Sequence, residues 1–179
     1  MRCLVLADMD DLRWRGGRHE VDAVLACGDV ADAAIVGAAE ACGGVPALAV
    51  KGNHDRHIEF VAPIRDVHRR VERLGELTVG GFQGCWQYKP RGHYLYSQEE
   101  VAAALERFPP VDIFLAHNSP RGVHDRDDLV HIGFDAFAAY IARARPRLFL
   151  HGHQHVNRET QVGATRVVGV YGHRTVELE

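Results

Sequence analysis

The chain has 179 residues, of which 46% are hydrophobic and 25% are charged, and its formal net charge is -3. This length suits one domain, residues 1–179, with a core of its own. The small negative charge gives no general attraction to nucleic acid or to anionic membranes. No apolar run approaches the roughly 20 residues of a membrane span, so we expect no membrane association.

The four cysteines are scattered along the chain and form no Cys-x-x-Cys pair; they are Cys3, Cys27, Cys42 and Cys85. Two of them lie inside apolar runs, where buried thiols are common. We therefore expect a reduced, cytoplasmic protein with neither a structural disulfide nor a zinc-thiolate site.

Three short apolar runs near the start of the chain predict buried strands at Arg2–Ala7, 21–27 and Ala47–Val50. The charged segment 12–20 is interpreted as a loop. An Ala-rich segment with helical spacing, 30–42, predicts a helix that ends at Gly43-Gly44. This order of strands and helix predicts parallel strands, and the continuous apolar character of the strands predicts a sheet covered on both faces.

The second half of the chain has a different pattern of hydrophobic residues and glycines. Residues 67–86 alternate more and contain four glycines, which predicts two or three strands joined by tight turns. A capping box at Ser97-Gln98-Glu99-Glu100 predicts a helix from Ser97 to about Arg107. Further on, the pattern predicts strands at 111–116 and 147–150 around a helix at 134–144, and two or three antiparallel strands over 158–178.

Polar residues stand at the ends of five predicted strands: Asp8 and Asp10, Gly28-Asp29, Gly52-Asn53-His54-Asp55, His117, and His153 with His155. Each group alone has an ordinary explanation, since aspartates cap elements, Gly, Asn and Asp form turns, and a histidine can lie at a core edge. The carboxyl ends of parallel strands share one edge of a sheet, so we expect these groups to converge on one site.

The donors in these groups are carboxylate oxygens, an amide oxygen and imidazole nitrogens, without thiolate. That mixture suits Mn²⁺, Fe or Zn²⁺. The donors are too many for one ion, whereas two ions roughly 3.5–4 Å apart would use them all. Such a pair is suited to in-line displacement at a phosphoester.

The order of these motifs from Asp8 to His155 resembles that of the calcineurin-like metallophosphoesterases, and the similarity spans most of the chain. The stretch 127–134, which precedes a predicted helix, is similar to a subgroup of small bacterial members. The resemblance implies an α/β (α+β) fold, a four-layer α-β-β-α sandwich. We expect this fold to combine a parallel half with a Gly-rich antiparallel half.

The resemblance also implies roles for individual residues. Asp29 would bridge two metals, with Asp8 and His155 on the first metal and Asn53, His117 and His153 on the second. His54 would act as the general acid, with Asp55 orienting its ring. A metal-bridging hydroxide would be the nucleophile. The cofactors implied are two divalent ions, with Mn preferred and Fe, Zn or Mg as alternatives.

One position departs from the family pattern. The first motif is normally Asp-x-His, and here it is Asp8-Met9-Asp10. Asp10 either replaces the histidine as a ligand, which would favour Mn²⁺ or Mg²⁺ over zinc, or turns to solvent and leaves the first metal weakly bound. We interpret His151 as a core-edge residue. His124 and His131, in or beside the acidic loop 121–132, are interpreted as surface residues, with contact to the substrate as the alternative for either.

The function that this pattern predicts is a metal-dependent phosphohydrolase acting on a small phosphoester, with a phosphodiester favoured over a phosphomonoester. Nucleic acid would be involved only as a substrate, and the sequence carries no signal for an oligomeric state. The alternative is a non-catalytic, metal-binding protein-interaction scaffold of the same fold, similar to the retromer subunit of the superfamily. His54, Asp55 and most ligand positions are present, which favours the enzyme.

Overall fold

The computed structural model describes residues 1–178 of the chain. Its helices are α1 (Asp32–Ala41), α2 (Gln98–Leu105) and α3 (Asp135–Ala144). Its strands are β1 (Arg2–Ala7), β2 (Ala23–Cys27), β3 (Ala47–Val50), β4 (Arg65–Asp66), β5 (Val71–Leu74), β6 (Leu77–Phe82), β7 (Cys85–Trp86), β8 (Leu95–Tyr96), β9 (Ile113–Ala116), β10 (Leu148–His151), β11 (Arg158–Val162), β12 (Thr165–Gly169) and β13 (Gly172–Glu177).

The first sheet has the order β13-β1-β2-β3-β4. Strands β1 to β4 are parallel, and β13 closes one edge in the antiparallel direction. β1 and β3 have the bounds predicted from their apolar runs, whereas β2 begins at Ala23 rather than at residue 21. Helix α1 is the crossover between β2 and β3, and it carries the chain back so that the two strands can pair in parallel.

The second sheet has the order β11-β12-β10-β9-β6-β5. The expectation of an antiparallel half is wrong for its centre, because β12, β10, β9 and β6 are parallel and only the edge strands β5 and β11 are antiparallel. Helix α2 accounts for the difference, since it returns the chain from the Gly-rich β6 to a parallel β9. The capping box at Ser97 is formed, although the helix ends at Leu105 rather than near Arg107.

The two sheets pack face to face with helices outside. The cluster between them combines residues of both sheets, such as Val5 and Leu25 with Leu115 and Leu150. Because side chains alternate along a strand, the neighbouring residues of each strand point outward. In the first sheet these pack on α1, and in the second sheet they pack on α2 and α3. The predicted α-β-β-α sandwich is therefore confirmed.

Two further expectations concern cysteines and membranes. All four cysteines are buried as free thiols. Within residues 1–178, none of the helices has the length and apolar character needed to span a bilayer.

Candidate metal centre

The polar groups predicted from the sequence follow strands of both sheets. Asp8, Asp29 and Asn53 come after β1, β2 and β3, whereas His117 and His153 come after β9 and β10. Sequence reasoning expected these residues along the edge of parallel strands. The structure adds that the strands belong to two stacked sheets, so the site lies where the carboxyl ends of both sheets meet.

The centre of the site is a donor cluster formed by Asp8, Asp29 and His117, whose ligand atoms all lie within 4.8 Å of one another. His117 Nε2 is 3.4 Å from Asp29 Oδ2 and 3.0 Å from Asn53 Oδ1. Its Nδ1 is 2.9 Å from the carbonyl oxygen of Cys27. Since a carbonyl only accepts, Nδ1 carries the hydrogen and Nε2 faces the oxygen donors, which is the orientation of a metal-binding histidine.

The charges in the donor cluster are strongly coupled. Burial alone would lower the pKa of His117, but the carboxylates of Asp29 and Asp8 raise it to about 9. Burial alone would raise the pKa of Asp29, but the charge and hydrogen bond of His117 lower it to about 2. Without a metal, a proton on His117 therefore supplies positive charge that offsets the carboxylates of the donor cluster.

Asp8 shows that this proton does not satisfy the whole cluster. Its Oδ2 accepts the backbone N–H of His153 at 2.8 Å, but its buried Oδ1 has no hydrogen-bond partner. The Nε2 atom of His155 is 3.6 Å from Oδ1, beyond hydrogen-bond distance. Burial and the charge of Asp29 both raise the pKa of Asp8. A buried carboxylate oxygen without a partner is costly, and a divalent cation would satisfy it.

Glycines keep the approach to the donor cluster open. A Cβ atom on Gly52 would lie 2.1 Å from Asp29 Oδ1, and one on Gly152 would lie 2.6 Å from Asp8 Oδ2. Any side chain at either position would displace the carboxylate. These two glycines therefore allow the chain segments after β3 and β10 to pass close to the donor oxygens.

Four of the predicted ligands have an unusual backbone conformation. Asp8, Asp29, His153 and His155 have φ of 51°, 53°, 63° and 50°, in the left-handed region that residues other than glycine rarely adopt. Such strain is characteristic of functional sites, where the surrounding structure holds it in place. The left-handed conformation turns the chain sharply after the strands and thereby sets the direction of these four side chains.

The two histidines after β10 differ in environment. His153 is buried, its ring centroid is 5.0 Å from that of His117, and its Nε2 lies 3.2 Å from the carbonyl oxygen of Val130. That carbonyl occupies Nε2 and leaves Nδ1 as the nitrogen able to bind a metal. His155 is exposed, and its ring stacks on Tyr171 with centroids 4.8 Å apart.

The turn after β3 gives Asp55 a different partner from the one expected. Asp55 Oδ2 accepts the backbone N–H groups of Gly52 at 2.7 Å and Asp29 at 2.9 Å. Among residues 1–178 no hydrogen bond joins it to the imidazole of His54. The expectation that Asp55 orients that ring is therefore not met, and Asp55 instead fixes the turn. The backbone N–H of His54 donates to Asp29 Oδ1 at 2.8 Å, while its side chain is exposed.

Asp10 lies apart from the donor cluster. Its side chain is exposed on the wall of the adjoining cavity, and no hydrogen bond or ion pair to it is found in the part of the chain that the structure describes. Asp10 is therefore free to turn either toward a metal or toward solvent, and both alternatives drawn from the sequence stay open.

Sequence reasoning missed a second layer of histidines. His151 is fully buried; its Nδ1 lies 2.9 Å from the Gly152 carbonyl oxygen, and its Nε2 lies 2.9 Å from His124 Nδ1. The ring of His131 lies 5.1 Å from that of His153, and its Nδ1 is 2.7 Å from Asp128 Oδ1. His124 and His131 are half-buried, so they lie at the surface only in part. The histidine content of loop 121–132 was the available signal.

A cavity of about 760 Å³ adjoins the donor cluster. Asp8 and Asp29 form part of its lining, together with Asp10, Asp32 and Asp55. The basic residues of the lining are Lys51 and Arg56. Lys51 is already paired with Asp32 at 3.0 Å, so the cavity is strongly acidic.

A sandwich of two sheets with a carboxylate and imidazole cluster at the strand ends defines a protein of the metallophosphoesterase fold with a candidate metal-binding site. The family model of the calcineurin-like phosphoesterase superfamily domain matches residues 10–170, and the chain belongs to this superfamily. The superfamily is metal-dependent and generally hydrolyses phosphoesters.

Solved structures with similar folds share little sequence with this chain. The protein TT1561 of Thermus thermophilus superposes with a TM-score of 0.59 at 20% identity, over 93% of this chain and 88% of that chain. The phosphopantetheinyl hydrolase PptH of Mycobacterium tuberculosis gives a TM-score of 0.58 at 14% identity, over 94% and 88%. No curated protein sequence matches the chain.

Proposed function

We propose that this protein is a metal-dependent phosphohydrolase with a binuclear centre, and that it prefers a phosphodiester to a phosphomonoester. The observation that carries the proposal is the donor cluster, in which Asp8 Oδ1 is buried without a partner. The acidity of the cavity adds a second argument. An anionic phosphoester would be repelled by these aspartates unless cations neutralised them.

The proposed ligands divide between two ions. Asp29 would be shared by both ions; Asp8 and His155, with Asp10 as a further candidate, would bind one ion. Asn53, His117 and His153 would bind the other. The donor set holds oxygen and imidazole nitrogen without thiolate, which favours Mn²⁺ while allowing Fe, Zn²⁺ or Mg²⁺. When bound, such ions supply Lewis acidity and activate water near neutral pH.

Residues of the chain would supply the remaining roles, which are proton donation and the positioning of the catalytic groups. The backbone N–H of His54 holds Asp29 in place, and its exposed ring on the cavity wall can give a proton to the leaving oxygen. Asp55 ties the turn that carries His54 to the backbone of Asp29, so it positions the acid through the backbone. His117 is fixed by the Cys27 carbonyl and keeps Nε2 directed at the centre.

The cavity and the cysteines support proposals for the size of the substrate and for the cellular compartment. The cavity volume suits a small phosphoester, with nucleic acid involved only as a substrate. The four buried free thiols support a reducing compartment, and we propose the cytoplasm.

The test compares bis-p-nitrophenyl phosphate with p-nitrophenyl phosphate. Metal-stripped protein is assayed with Mn²⁺, Mg²⁺, Fe²⁺, Zn²⁺ or no addition. We expect metal-dependent turnover, higher for the diester, that is lost in Asn53→Ala and reduced roughly 100-fold or more in His54→Ala. His57→Ala is the matched control, because His57 is also exposed but does not line the cavity.

The same experiment can reject the enzyme. Tight metal binding without turnover of either ester would favour the protein-interaction scaffold. Equal loss of activity in His54→Ala and His57→Ala would remove the assignment of His54 as the acid.

A further inference from the structure

The cavity beside the donor cluster has a wall of exposed hydrophobic residues. Over residues 1–178 the large hydrophobic residues with high exposure are Leu12 (76%), Ile58 (56%), Val61 (49%), Val71 (41%), Leu129 (80%) and Tyr171 (45%). Four of these six line this one cavity, and we call them the apolar wall: Leu12, Ile58, Val61 and Tyr171. Scattered surface hydrophobics are normal, but their concentration around one cavity indicates a binding surface.

The apolar wall is assembled from three distant parts of the chain. Leu12 lies in the loop after β1, Ile58 and Val61 lie in the segment after β3, and Tyr171 lies between β12 and β13. Met9 and Val30 add further apolar residues to the lining of the same cavity. No single stretch of sequence contains the wall, which therefore depends on the fold.

The segment that carries Ile58 and Val61 is held in place. The backbone N–H of Val61 donates to Asp32 Oδ2 at 2.9 Å, and Asp32 Oδ1 accepts from Lys51 Nζ at 3.0 Å. Lys51 Nζ also lies 3.6 Å from the centroid of the Phe60 ring. Because Lys51 is buried, this arrangement anchors the segment to the first turn of α1. The part of the wall that this segment supplies is thus formed before any ligand binds, as is usual for small-molecule sites.

The apolar wall and the donor cluster share one cavity. Asp8, Asp29 and His54 line it together with Leu12, Ile58 and Val61. A phosphoryl group at the donor cluster would leave the rest of its substrate against this wall. Of the acidic residues that line the cavity, Asp8 and Asp29 belong to the donor cluster, Asp32 pairs with Lys51, and Asp55 accepts from the turn after β3. The apolar wall itself offers a ligand mainly contacts with hydrocarbon.

We infer that the alcohol part of the substrate carries an apolar hydrocarbon group that packs on Leu12, Ile58 and Val61. The inference rests on the proposed phosphohydrolase function and adds the class of substrate. The donor cluster would bind the phosphoryl group of the substrate. The apolar wall would select the alcohol part by burying its hydrocarbon group.

The test uses ligands that differ only in chain length. Methyl-, butyl- and octylphosphonate are titrated into the Mn²⁺-loaded protein, and the corresponding alkyl phosphate esters are assayed for turnover, as monoesters or diesters according to the class hydrolysed. We expect Kd to fall, and kcat/KM to rise, roughly twofold to fourfold for each methylene group that reaches the wall. Glycerol phosphate, similar in size to the butyl ester but polar, should be a poorer substrate than that ester.

A matched pair of variants tests the wall itself. Val61→Ser should raise Kd for octylphosphonate roughly threefold to tenfold and leave methylphosphonate unchanged. Val71→Ser is the control, because Val71 is a valine of similar exposure on β5, outside the cavity, and should change neither Kd.

The outcomes separate the two proposals. Turnover that is the same for methyl and octyl esters, with Kd values that are equal as well, would overturn the inference while the phosphohydrolase function stood. Chain-length-dependent binding of the phosphonates without turnover of any ester would overturn the function while the apolar site stood.

Discussion

The buried pair of His117 and Asp29 makes the stability of the metal-free protein depend on pH. The perturbation is His117→Gln, which removes the titrating group and keeps a neutral polar side chain of similar size. Because Asp29 and Asp8 raise the pKa of His117 to about 9, against 6.5 in an unfolded chain, the folded state binds the proton more tightly. The stabilisation is therefore fully present below pH 6.5 and is lost as the pH rises through 9.

The size of the effect follows from the shift in pKa. His117 should contribute about 3 kcal/mol to the free energy of unfolding at pH 6.5, and about 1 kcal/mol at pH 8.5. Other groups also contribute to the pH dependence of stability, such as the thiol of Cys3, whose pKa burial raises to about 12. The quantity to compare is thus the difference between wild type and His117→Gln, from which the contributions of groups that do not interact with His117 cancel.

Urea unfolding of both metal-free proteins at several pH values between 6.5 and 8.5 measures this difference. We expect it to shrink by about 2 kcal/mol over the range. With saturating Mn²⁺ the trend of the wild type should reverse, because the metal must displace the proton from His117. A difference that stays constant with pH would refute the reasoning, since His117 would then be neutral in the folded protein.

Three other positions in the structure give separate predictions. Gly52→Ala would place a methyl group 2.1 Å from Asp29 Oδ1, so metal titration should show affinity weakened roughly tenfold or more. Lys51→Met should lower the free energy of unfolding in urea by about 3 kcal/mol, because Asp32 loses its buried partner. Burial lowers the pKa of His68 to about 4, so the unfolded state binds more protons below pH 6.5. The free energy of unfolding of the wild type should therefore fall by about 2 kcal/mol from pH 7 to pH 5, and this decrease should be absent in His68→Gln.

Each of these predictions has its own control. Gly37→Ala, in helix α1 away from the donor cluster, should leave metal affinity unchanged; an equal loss in both glycine variants would contradict the steric argument. Adding Asp32→Asn to Lys51→Met should recover part of the lost stability, and no recovery would mean that the ion pair is not the cause. His57→Gln should keep the acid sensitivity of the wild type, and a loss there would argue against His68.

Local sequence determined the elements. The apolar runs of β1 and β3 set their bounds because a strand buried on both faces must be hydrophobic throughout. The capping box at Ser97 set the start of α2 because its two reciprocal hydrogen bonds form within a single turn. The polar residues at the strand ends were equally visible, since each interrupts a hydrophobic run at the same place.

Only the tertiary structure decided how these elements and side chains meet. Pairing depends on contacts between distant segments, so the Gly-rich β6 could not be assigned to a parallel partner from its own pattern. The choice of the backbone N–H of Asp29, rather than the ring of His54, as a partner of Asp55 depends on ångström-scale distances across the turn. The apolar wall is the clearest case. Leu12, Ile58 and Tyr171 are ordinary loop residues in the sequence, and only the folded chain brings them together around one cavity.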